Sequence, residues 1–320
     1  MQIAIGTTNS SPNVLLAPGL GALEAVYEDM CRGRIAAGLE DLFDDLSTRR
    51  AVDPEAWPSF AGTCLHHPLQ RLLHQDPFTY RAFSKPRGYA GDAVMMDYIY
   101  GLGETSTAAR GATPLGRAIF AHMSTRPSAR AVRYRRRLLA DLIDRTASRG
   151  GNSVFALAAG HLREVELSGA VQNGEIASFV AMDQDAASLA VVARDYARLG
   201  ISAVSGSVRH ILSGKAQPGE FDFVYAAGLF DYLDAPVATA LTCKLFDMTR
   251  PGGMLLIPNF KTGAPDCGYM EAFMDWRLIY RNHDDMGALA AALPADGVAD
   301  FEIFDDDDDT ITFLLVSKAL

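Results

Sequence analysis

Short apolar runs alternate with segments of helical spacing from residue 152 onward. The first five runs are separated by segments long enough for a helix, which is typical of a parallel sheet covered by crossover helices. Only the aspartates of residues 305–309 separate the last two runs, which predicts an antiparallel hairpin at the edge of the sheet. The predicted strands cover residues 154–158, 178–182, 202–205, 221–226, 254–258, 300–304 and 310–316.

The first half of the chain has a helical pattern. Apolar residues such as Leu23, Val26 and Met30 recur at helical spacing, and no alternating strand pattern interrupts them. We therefore predict a helical N-terminal cap over residues 1–150 and an α/β domain over residues 151–320.

The last helix of this cap is basic. It is predicted over residues 129–145, with Val132, Leu139 and Leu142 on a buried stripe. Four of the arginines of this helix are interpreted as a solvated face: Arg133, Arg135, Arg136 and Arg137.

Charge and cysteine content narrow the class of function. A net charge of −10 argues against binding to nucleic acid or to anionic membranes, so a small-molecule substrate is expected. The four cysteines lie far apart without metal-ligand spacing, which favours free thiols in a reducing cytoplasm. Met1–Leu16 lacks a signal-peptide pattern, and no apolar run reaches the roughly 18 residues of a membrane helix. A cytoplasmic location is therefore expected.

Metal ligands are not indicated by the pattern of acidic and histidine residues. His66, His67 and His74 lack a third ligand at a recognisable spacing. The run Asp305–Asp309 has no intervening glycine of a calcium loop and is interpreted as a solvated hairpin tip.

The turns after the first two predicted strands can bind a ligand. Ala158-Ala159-Gly160-His161 is a small-residue turn that lets backbone amides approach a ligand, and Glu164 lies in the helix that follows. Asp183 directly follows the second strand, where its carboxylate can accept both hydroxyls of a ribose, and Gln184 continues that turn. Each turn also has a structural alternative to ligand binding. The first turn can be a plain strand-to-helix connection, and Asp185, the residue after Gln184, can cap the N-terminus of the next helix.

Further segments of interest lie between the later strands. Gly206-Ser207-Val208 comes after the third strand, and Ala227-Gly228 and Tyr232 come after the fourth, at the edge where open α/β sheets bind ligands. Arg250-Pro251-Gly252-Gly253 is predicted to form a turn into the fifth strand.

The order of these features resembles the class I S-adenosylmethionine-dependent methyltransferases over about the last half of the chain. The resemblance implies a Rossmann-like α/β fold with a seven-stranded, mostly parallel sheet, and S-adenosylmethionine as substrate or methyl donor without a metal. It implies that Ala159 and Gly160 contact the methionine part and that Ser207 and Val208 cover the adenine. Ala159, His161 and Leu162 depart from the glycine-richer loop of that family.

A second motif lies in the cap. Lys85-Pro86-Arg87-Gly88-Tyr89-Ala90-Gly91-Asp92, together with Tyr269-Met270 and residues 275–281, resembles a bacterial subgroup of class I methyltransferase-like proteins with a helical N-terminal extension. Residues 87–92 are predicted to close over the methionine end of the ligand, with Tyr89 covering the sulfonium. Asp92 either binds the amine or caps a helix. Trp276 and Tyr280 are predicted on one helical face, with core packing favoured.

Two reactions are compatible with this pattern. In the first, the amine of S-adenosylmethionine attacks the γ-carbon of its own methionine chain, which gives azetidine-2-carboxylate and methylthioadenosine. This reaction is favoured because no general base stands out that could activate a separate acceptor. Tyr89, Tyr80 and Trp57 would then cage the sulfonium and Asn259 would orient the amine. The pattern resembles the bacterial azetidine-2-carboxylate synthases of natural-product biosynthesis. The alternatives are methyl transfer to a small-molecule or fatty-acid-like acceptor and a non-catalytic S-adenosylmethionine sensor.

Overall fold

A computed structural model describes residues 20–320 of the chain. The first 19 residues of the predicted cap lie outside the described residues. They include Met1–Leu16, the segment without a signal-peptide pattern. Nine helices lie between Leu20 and Ser148, before the first strand. They are α1 (Leu20–Cys31), α2 (Ile35–Val52), α3 (Trp57–Cys64), α4 (Leu69–Leu73), α5 (Pro77–Ser84), α6 (Ala93–Tyr100), α7 (Gly103–Gly111), α8 (Pro114–Met123) and α9 (Pro127–Ser148).

All seven predicted strands are confirmed and form one sheet. Their order is β3-β2-β1-β4-β5-β7-β6; β1 to β5 are parallel, whereas β7 is antiparallel to both β5 and β6. The hairpin predicted at the edge is therefore also confirmed. The strands are β1 (Ser153–Leu157), β2 (Ser178–Asp183), β3 (Ile201–Ser205), β4 (Phe221–Tyr225), β5 (Thr249–Phe260), β6 (Val298–Asp305) and β7 (Ile311–Lys318).

The strand order reverses at the neighbouring pair β1 and β4, which places a crevice outside their carboxyl ends. The remaining helices connect or flank the strands. They are α10 (Gly169–Gln172), α11 (Ala186–Tyr196), α12 (Val208–Leu212), α13 (Ala235–Asp247), α14 (Cys267–Phe273) and α15 (His283–Ala291).

The two faces of the sheet pack into different layers. Alternate strand residues such as Ala156, Phe223 and Leu256 join a core that includes the N-terminal helices, whereas Phe155 and Val224 face a core with α13 and α15. Period-two alternation of side chains explains how each buried strand serves both layers.

Helix α14 comes late in the chain but packs against the N-terminal helices α2 and α3. The Tyr269 ring stacks on Phe43 with centroids 4.8 Å apart. A Cβ at Gly268 would lie 2.9 Å from the Leu46 Cβ, so the absence of a side chain permits this close approach.

Three local predictions are corrected. Trp276 and Tyr280 do not share a helical face, because α14 ends at Phe273 and Asp275 has a left-handed backbone with φ 45°. Residues 250–253 are not a turn before β5 but its irregular first part, where the pairing with β4 shifts register. Within the acidic run, Asp306 is buried rather than solvated, since its carboxylate accepts backbone hydrogen bonds from Thr310 and Ile311.

Among residues 20–320, no helix combines the length and apolar character that membrane crossing requires.

Candidate active site

A cavity of about 1520 Å³ opens at the carboxyl ends of β1, β2 and β4 and is covered by the loop between α5 and α6. It therefore occupies the crevice that the strand order creates. Twelve of the residues proposed from the sequence line it: Arg87, Tyr89, Ala159, Gly160, Glu164, Asp183, Gln184, Ser207, Val208, Ala227, Gly228 and Tyr232.

The turn after β1 has an unusual backbone. Ala158, Gly160 and Leu162 all have positive φ, at 54°, 55° and 54°. For Ala158 and Leu162 this left-handed conformation costs roughly 1–2 kcal/mol each, so surrounding contacts must hold the turn. One such contact is the hydrogen bond from the Ala159 amide to the Met182 carbonyl of β2, at 3.1 Å.

Asp183 at the end of β2 holds two turns together. Its Oδ2 accepts the Gly160 amide at 2.8 Å, and its Oδ1 accepts the Asp185 amide at 2.8 Å. The residue is buried at 6% exposure but lines the cavity. Because each carboxylate oxygen has more than one acceptor site, both oxygens can still receive a hydrogen bond from a ligand.

Arg87 ties the covering loop to the start of α11. Its Nη1 donates to Asp185 Oδ2 at 2.7 Å and to Ser188 Oγ at 2.9 Å. Asp185 also accepts the Ala187 amide, so the N-capping interpretation of Asp185 is correct. Burial raises the pKa of Asp185, but hydrogen bonds from Ser188 and Ala187 and the charge of Arg87 outweigh it, so the pKa lies below its usual value.

Three aromatic side chains meet beside Gly91 at the roof of the cavity. The Tyr89 and Tyr232 rings lie edge to face with centroids 6.5 Å apart, and Trp276 Nε1 donates to the Tyr232 hydroxyl at 2.9 Å. A Cβ at Gly91 would lie 2.6 Å from both Trp276 and the Tyr232 hydroxyl, so the loop fits only without a side chain there. Burial raises the pKa of Tyr89 to about 12, which keeps its hydroxyl neutral. These neutral rings can stabilise a cation.

Arg135 is buried at the cavity, and its predicted place on a solvated face of α9 is wrong. Helix α9 packs against α6 and the strands β4 and β7, so only a narrow part of its surface reaches water. Arg137 is exposed, whereas Arg133 and Arg136 are partly buried and donate to backbone carbonyls. The spacing Val132, Arg135, Leu139, Leu142 places Arg135 on the apolar stripe, which is the signal that could have revealed it.

Asp231 also lines the cavity and was not identified from the sequence. It is buried, and its Oδ1 accepts the Phe260 amide at 2.6 Å. Burial raises the pKa of Asp231 to about 6, partly offset by that hydrogen bond and by the charges of Arg135 and Arg281. A carboxyl with this pKa can exchange a proton near neutral pH, so Asp231 is a candidate general base that the sequence pattern did not reveal.

Two of the proposed aromatic residues lie away from the cavity. The indole of Trp57 is buried where α3 packs on α14 and donates to Glu271 Oε2 at 2.6 Å. Tyr80 is 52% exposed and lies next to His74. Neither side chain lines the cavity, so the prediction that Trp57 and Tyr80 surround one site together with Tyr89 is wrong. The aromatic side chains that line the cavity with Tyr89 include Tyr232 and Trp276.

Asn259 and Asp92 have structural partners instead of places in the cavity. Asn259 donates to the Phe260 and Ile279 carbonyls and accepts from Arg281, so its amide is not available to orient an amine. Asp92 caps α6 through the Met95 amide and accepts two hydrogen bonds from Arg81. Its capping interpretation is therefore correct and its ligand interpretation is wrong.

His161 connects the β1 turn to the cap. Its Nδ1 lies 2.8 Å from Asp97 Oδ2, and Arg163 Nε donates to Asp97 Oδ1 at 2.9 Å. Burial raises the pKa of Asp97, but His161 and Arg163 together bring it below its usual value. His161, which departs from the glycine-richer loop, thus contacts α6 through its side chain.

No protein-family model and no curated protein sequence matches the chain. Solved structures do resemble it. A possible exported protein from Bordetella parapertussis has a TM-score of 0.60 and 17% identity, covering 84% of this chain and 98% of that one. The S-adenosylmethionine-dependent methyltransferase SibL in its apo form has a TM-score of 0.47 and 16% identity over 76% and 70% of the two chains. An O-methyltransferase family protein from Burkholderia thailandensis has a TM-score of 0.45 and 15% identity over 72% of each chain.

The predicted fold class is confirmed. The sheet has the seven mostly parallel strands and the antiparallel edge hairpin of the class I methyltransferase fold, with helices on both faces. Since a fold hosts many chemistries, the reaction must be argued from the site.

Proposed function

We propose that this chain is an enzyme that uses S-adenosylmethionine. The observation that carries the proposal is the Asp183 carboxylate at the end of β2, held by the amides of Gly160 and Asp185 at the wall of a covered cavity. A carboxylate fixed in this way can accept both ribose hydroxyls of a nucleoside without reorganising.

The other parts of the ligand have complementary surroundings in the same cavity. The adenine would lie against Ser207 and Val208 after β3, and the methionine part would lie between Gly160 and Gly228 at the ends of β1 and β4. The sulfonium would then face Tyr89 and the roof that it forms with Tyr232. Cation–π attraction contributes about 0.5–2 kcal/mol per ring in a partly desolvated site.

The reaction we propose is intramolecular cyclisation. The amine first loses a proton, which Asp231 can accept because its side chain lines the same cavity. The amine lone pair then forms a bond to the γ-carbon while the bond from that carbon to sulfur breaks, and its electron pair stays on sulfur. The products are azetidine-2-carboxylate and neutral methylthioadenosine, with one proton released overall. The aromatic roof supports this reaction because it can cover the sulfonium. Holding the amine in line with the γ-carbon can contribute about 7–11 kcal/mol.

Methyl transfer is the second candidate, and the cavity volume favours it. At about 1520 Å³ the cavity exceeds the roughly 300–1,000 Å³ typical of a site for one drug-sized ligand. The additional space would admit a small-molecule or fatty-acid-like acceptor next to the methyl group, with Asp231 as the base.

Incubation of the purified protein with S-adenosylmethionine alone tests the proposal. We expect methylthioadenosine and azetidine-2-carboxylate in equal amounts by mass spectrometry, above a control without enzyme, and neither above that control with Asp183→Ala. Methylthioadenosine without the cyclic amino acid would contradict cyclisation. Formation of S-adenosylhomocysteine only when acceptors are added would support methyl transfer, and binding without any product would support a sensor.

A further inference from the structure

Arg135 is a buried cation without an ion-pair partner in the described part of the chain. The residue is 6% exposed, and its hydrogen-bond partners among residues 20–320 are uncharged: the Met96 sulfur, 3.5 Å from Nη2, and the Tyr100 side chain. A thioether is a weak acceptor and carries no charge. A Cβ placed on Gly228 would lie 3.9 Å from both terminal nitrogens, which locates the guanidinium at the wall of the cavity near the end of β4.

Burial of a guanidinium in this way is costly unless an anion compensates it. Glu164 and Asp231 are close enough for the charge of Arg135 to lower their pKa values, against the larger raising effect of burial. Neither forms an ion pair with Arg135 within the described residues. The planar fork of an arginine suits a carboxylate that can accept two parallel hydrogen bonds, and the cavity side of Arg135 has space for one.

The two neighbouring carboxylates each retain an oxygen for a ligand. Tyr225 donates to Glu164 Oε1 at 2.5 Å, and the Phe260 amide donates to Asp231 Oδ1 at 2.6 Å. The second oxygen of each group accepts no hydrogen bond from another residue in the range 20–320, and both side chains line the cavity. The cavity therefore presents one cation and two carboxylate oxygens in the same region.

We propose that Arg135, Glu164 and Asp231 form a subsite for a zwitterionic α-amino acid group. Arg135 holds the carboxylate, and the available oxygens of Glu164 and Asp231 face the amine. This inference rests on the proposed function, in which the ligand carries such a group on its methionine part. It assigns recognition of that group to a side chain of the cap helix α9 in addition to the turn after β1.

Two ligands with the same thioadenosine part test the subsite, because only one of them carries the amino acid group. S-adenosylhomocysteine carries the group, whereas 5′-methylthioadenosine has the same nucleoside and thioether without it. Affinities are measured by calorimetry at pH 7.5 for the wild type, Arg135→Met, Arg135→Lys and the control Arg137→Met, which removes an exposed arginine of the same helix. We expect Arg135→Met to weaken S-adenosylhomocysteine binding about 10- to 100-fold, as for loss of a charged hydrogen-bonding partner.

The affinity for methylthioadenosine should stay within about twofold in Arg135→Met, which also reports that the variant is folded. Arg135→Lys keeps the charge without the fork and should give an intermediate loss, and it replaces Arg135→Met if that variant does not fold. If Arg135→Met weakens the binding of both ligands equally, or of neither, the subsite is overturned. The proposed function still stands in that case, because the wild type binds the ligands. If the wild type binds neither ligand, the proposed function fails and the subsite fails with it.

Discussion

The carboxylate of Asp183 has a structural and a proposed binding role at once. Its two oxygens accept the amides of Gly160 and Asp185, so it fixes the turn after β1 and the start of α11 relative to each other. A ribose bound to the same oxygens would therefore meet acceptors that do not need to move. A substitution at this position should accordingly affect both ligand affinity and the local backbone.

We predict that Asp183→Ala weakens binding of S-adenosylhomocysteine by about 30- to 1,000-fold, which corresponds to roughly 2–4 kcal/mol for two charge-assisted hydrogen bonds. Calorimetry measures the effect, and far-UV circular dichroism checks that the variant is folded. Asp300→Ala, on the exposed edge strand β6, is the matched control and should bind as the wild type does. Unchanged affinity in Asp183→Ala would remove this residue from the site.

The position of Asp183 could be predicted because it follows from the chain alone: a carboxylate directly after a buried strand lies at the ligand edge of a parallel sheet. Arg135 and Asp231 could not be placed in this way, since burial of a charged side chain depends on which helices and strands surround it. The same limit explains why Trp57 and Tyr80 were wrongly predicted to line the site. Which aromatic side chain of a helical cap faces the sheet is decided by packing between helices, and Trp57 instead pairs with Glu271, 214 positions later.

The raised pKa of Asp231 gives a prediction for pH. Burial raises this pKa to about 6, and the charges of Arg135 and Arg281 offset part of the rise. Protonation below about pH 6 removes the negative charge that faces the ligand amine, so affinity for S-adenosylhomocysteine should fall about 5- to 10-fold as the pH decreases through that value. The measurement is calorimetry between pH 5 and 7.5.

Asp231→Asn should bind S-adenosylhomocysteine weakly over this whole pH range, because the asparagine amide carries no charge at any pH. Methylthioadenosine lacks the amine and serves as the ligand control. A pH dependence that persists unchanged in Asp231→Asn would assign the effect to another group and contradict the prediction.

The loop between α5 and α6 is fixed at both of its ends. Helix α5 ends at Ser84, and Lys85 caps it in a left-handed conformation. Asp92 caps α6 and also pairs with Arg81 of α5. Between these ends, Arg87 bonds to the start of α11 below the sheet edge. The loop thus forms a supported roof over the cavity rather than a free connection.

We predict that Gly91→Ala disturbs this roof. The added methyl group would lie 2.6 Å from Trp276 and from the Tyr232 hydroxyl, so either the loop or the aromatic pair must shift. Affinity for S-adenosylhomocysteine should fall by about tenfold or more, in line with the cost of overpacking of roughly 1–3 kcal/mol. Gly62→Ala in α3, where nothing lies within 4 Å, is the control and should leave binding unchanged. Wild-type affinity in Gly91→Ala would mean that the loop does not depend on this contact.

The strands were predictable because apolar runs between helix-length segments carry a strong local signal, and every one of the seven appears in the sheet. Element ends were less predictable. Residues 251–253 read as a proline and glycine turn, yet the preceding Thr249 already pairs with Phe221 of β4, and the extra residues form an irregularity within β5. Such pairing across strands is a long-range property that the local turn signal does not contain.

The N-terminal helices and the sheet share one hydrophobic core. The cluster of buried side chains that contains Leu23 and Phe43 also contains Val154 of β1 and Phe223 of β4. Helix α14 strengthens this connection, because it follows β5 in the chain yet packs on α2. Loss of packing among the N-terminal helices should therefore lower the stability of the sheet as well.

Phe43→Ala tests this coupling. Phe43 is 2% exposed, stacks on Tyr269 and has the Arg126 guanidinium 3.8 Å from its ring centroid, so its truncation should cost about 3–5 kcal/mol. We expect the urea midpoint to decrease equally for tryptophan fluorescence, which reports on Trp57 and Trp276, and for amide exchange in β1 and β4. Phe301→Ala, which removes a half-exposed ring from β6, is the control and should change stability by less than about 0.5 kcal/mol. If the fluorescence midpoint falls while protection of β1 and β4 stays at its wild-type value, the N-terminal helices have a separate core and the cavity roof can unfold without the sheet.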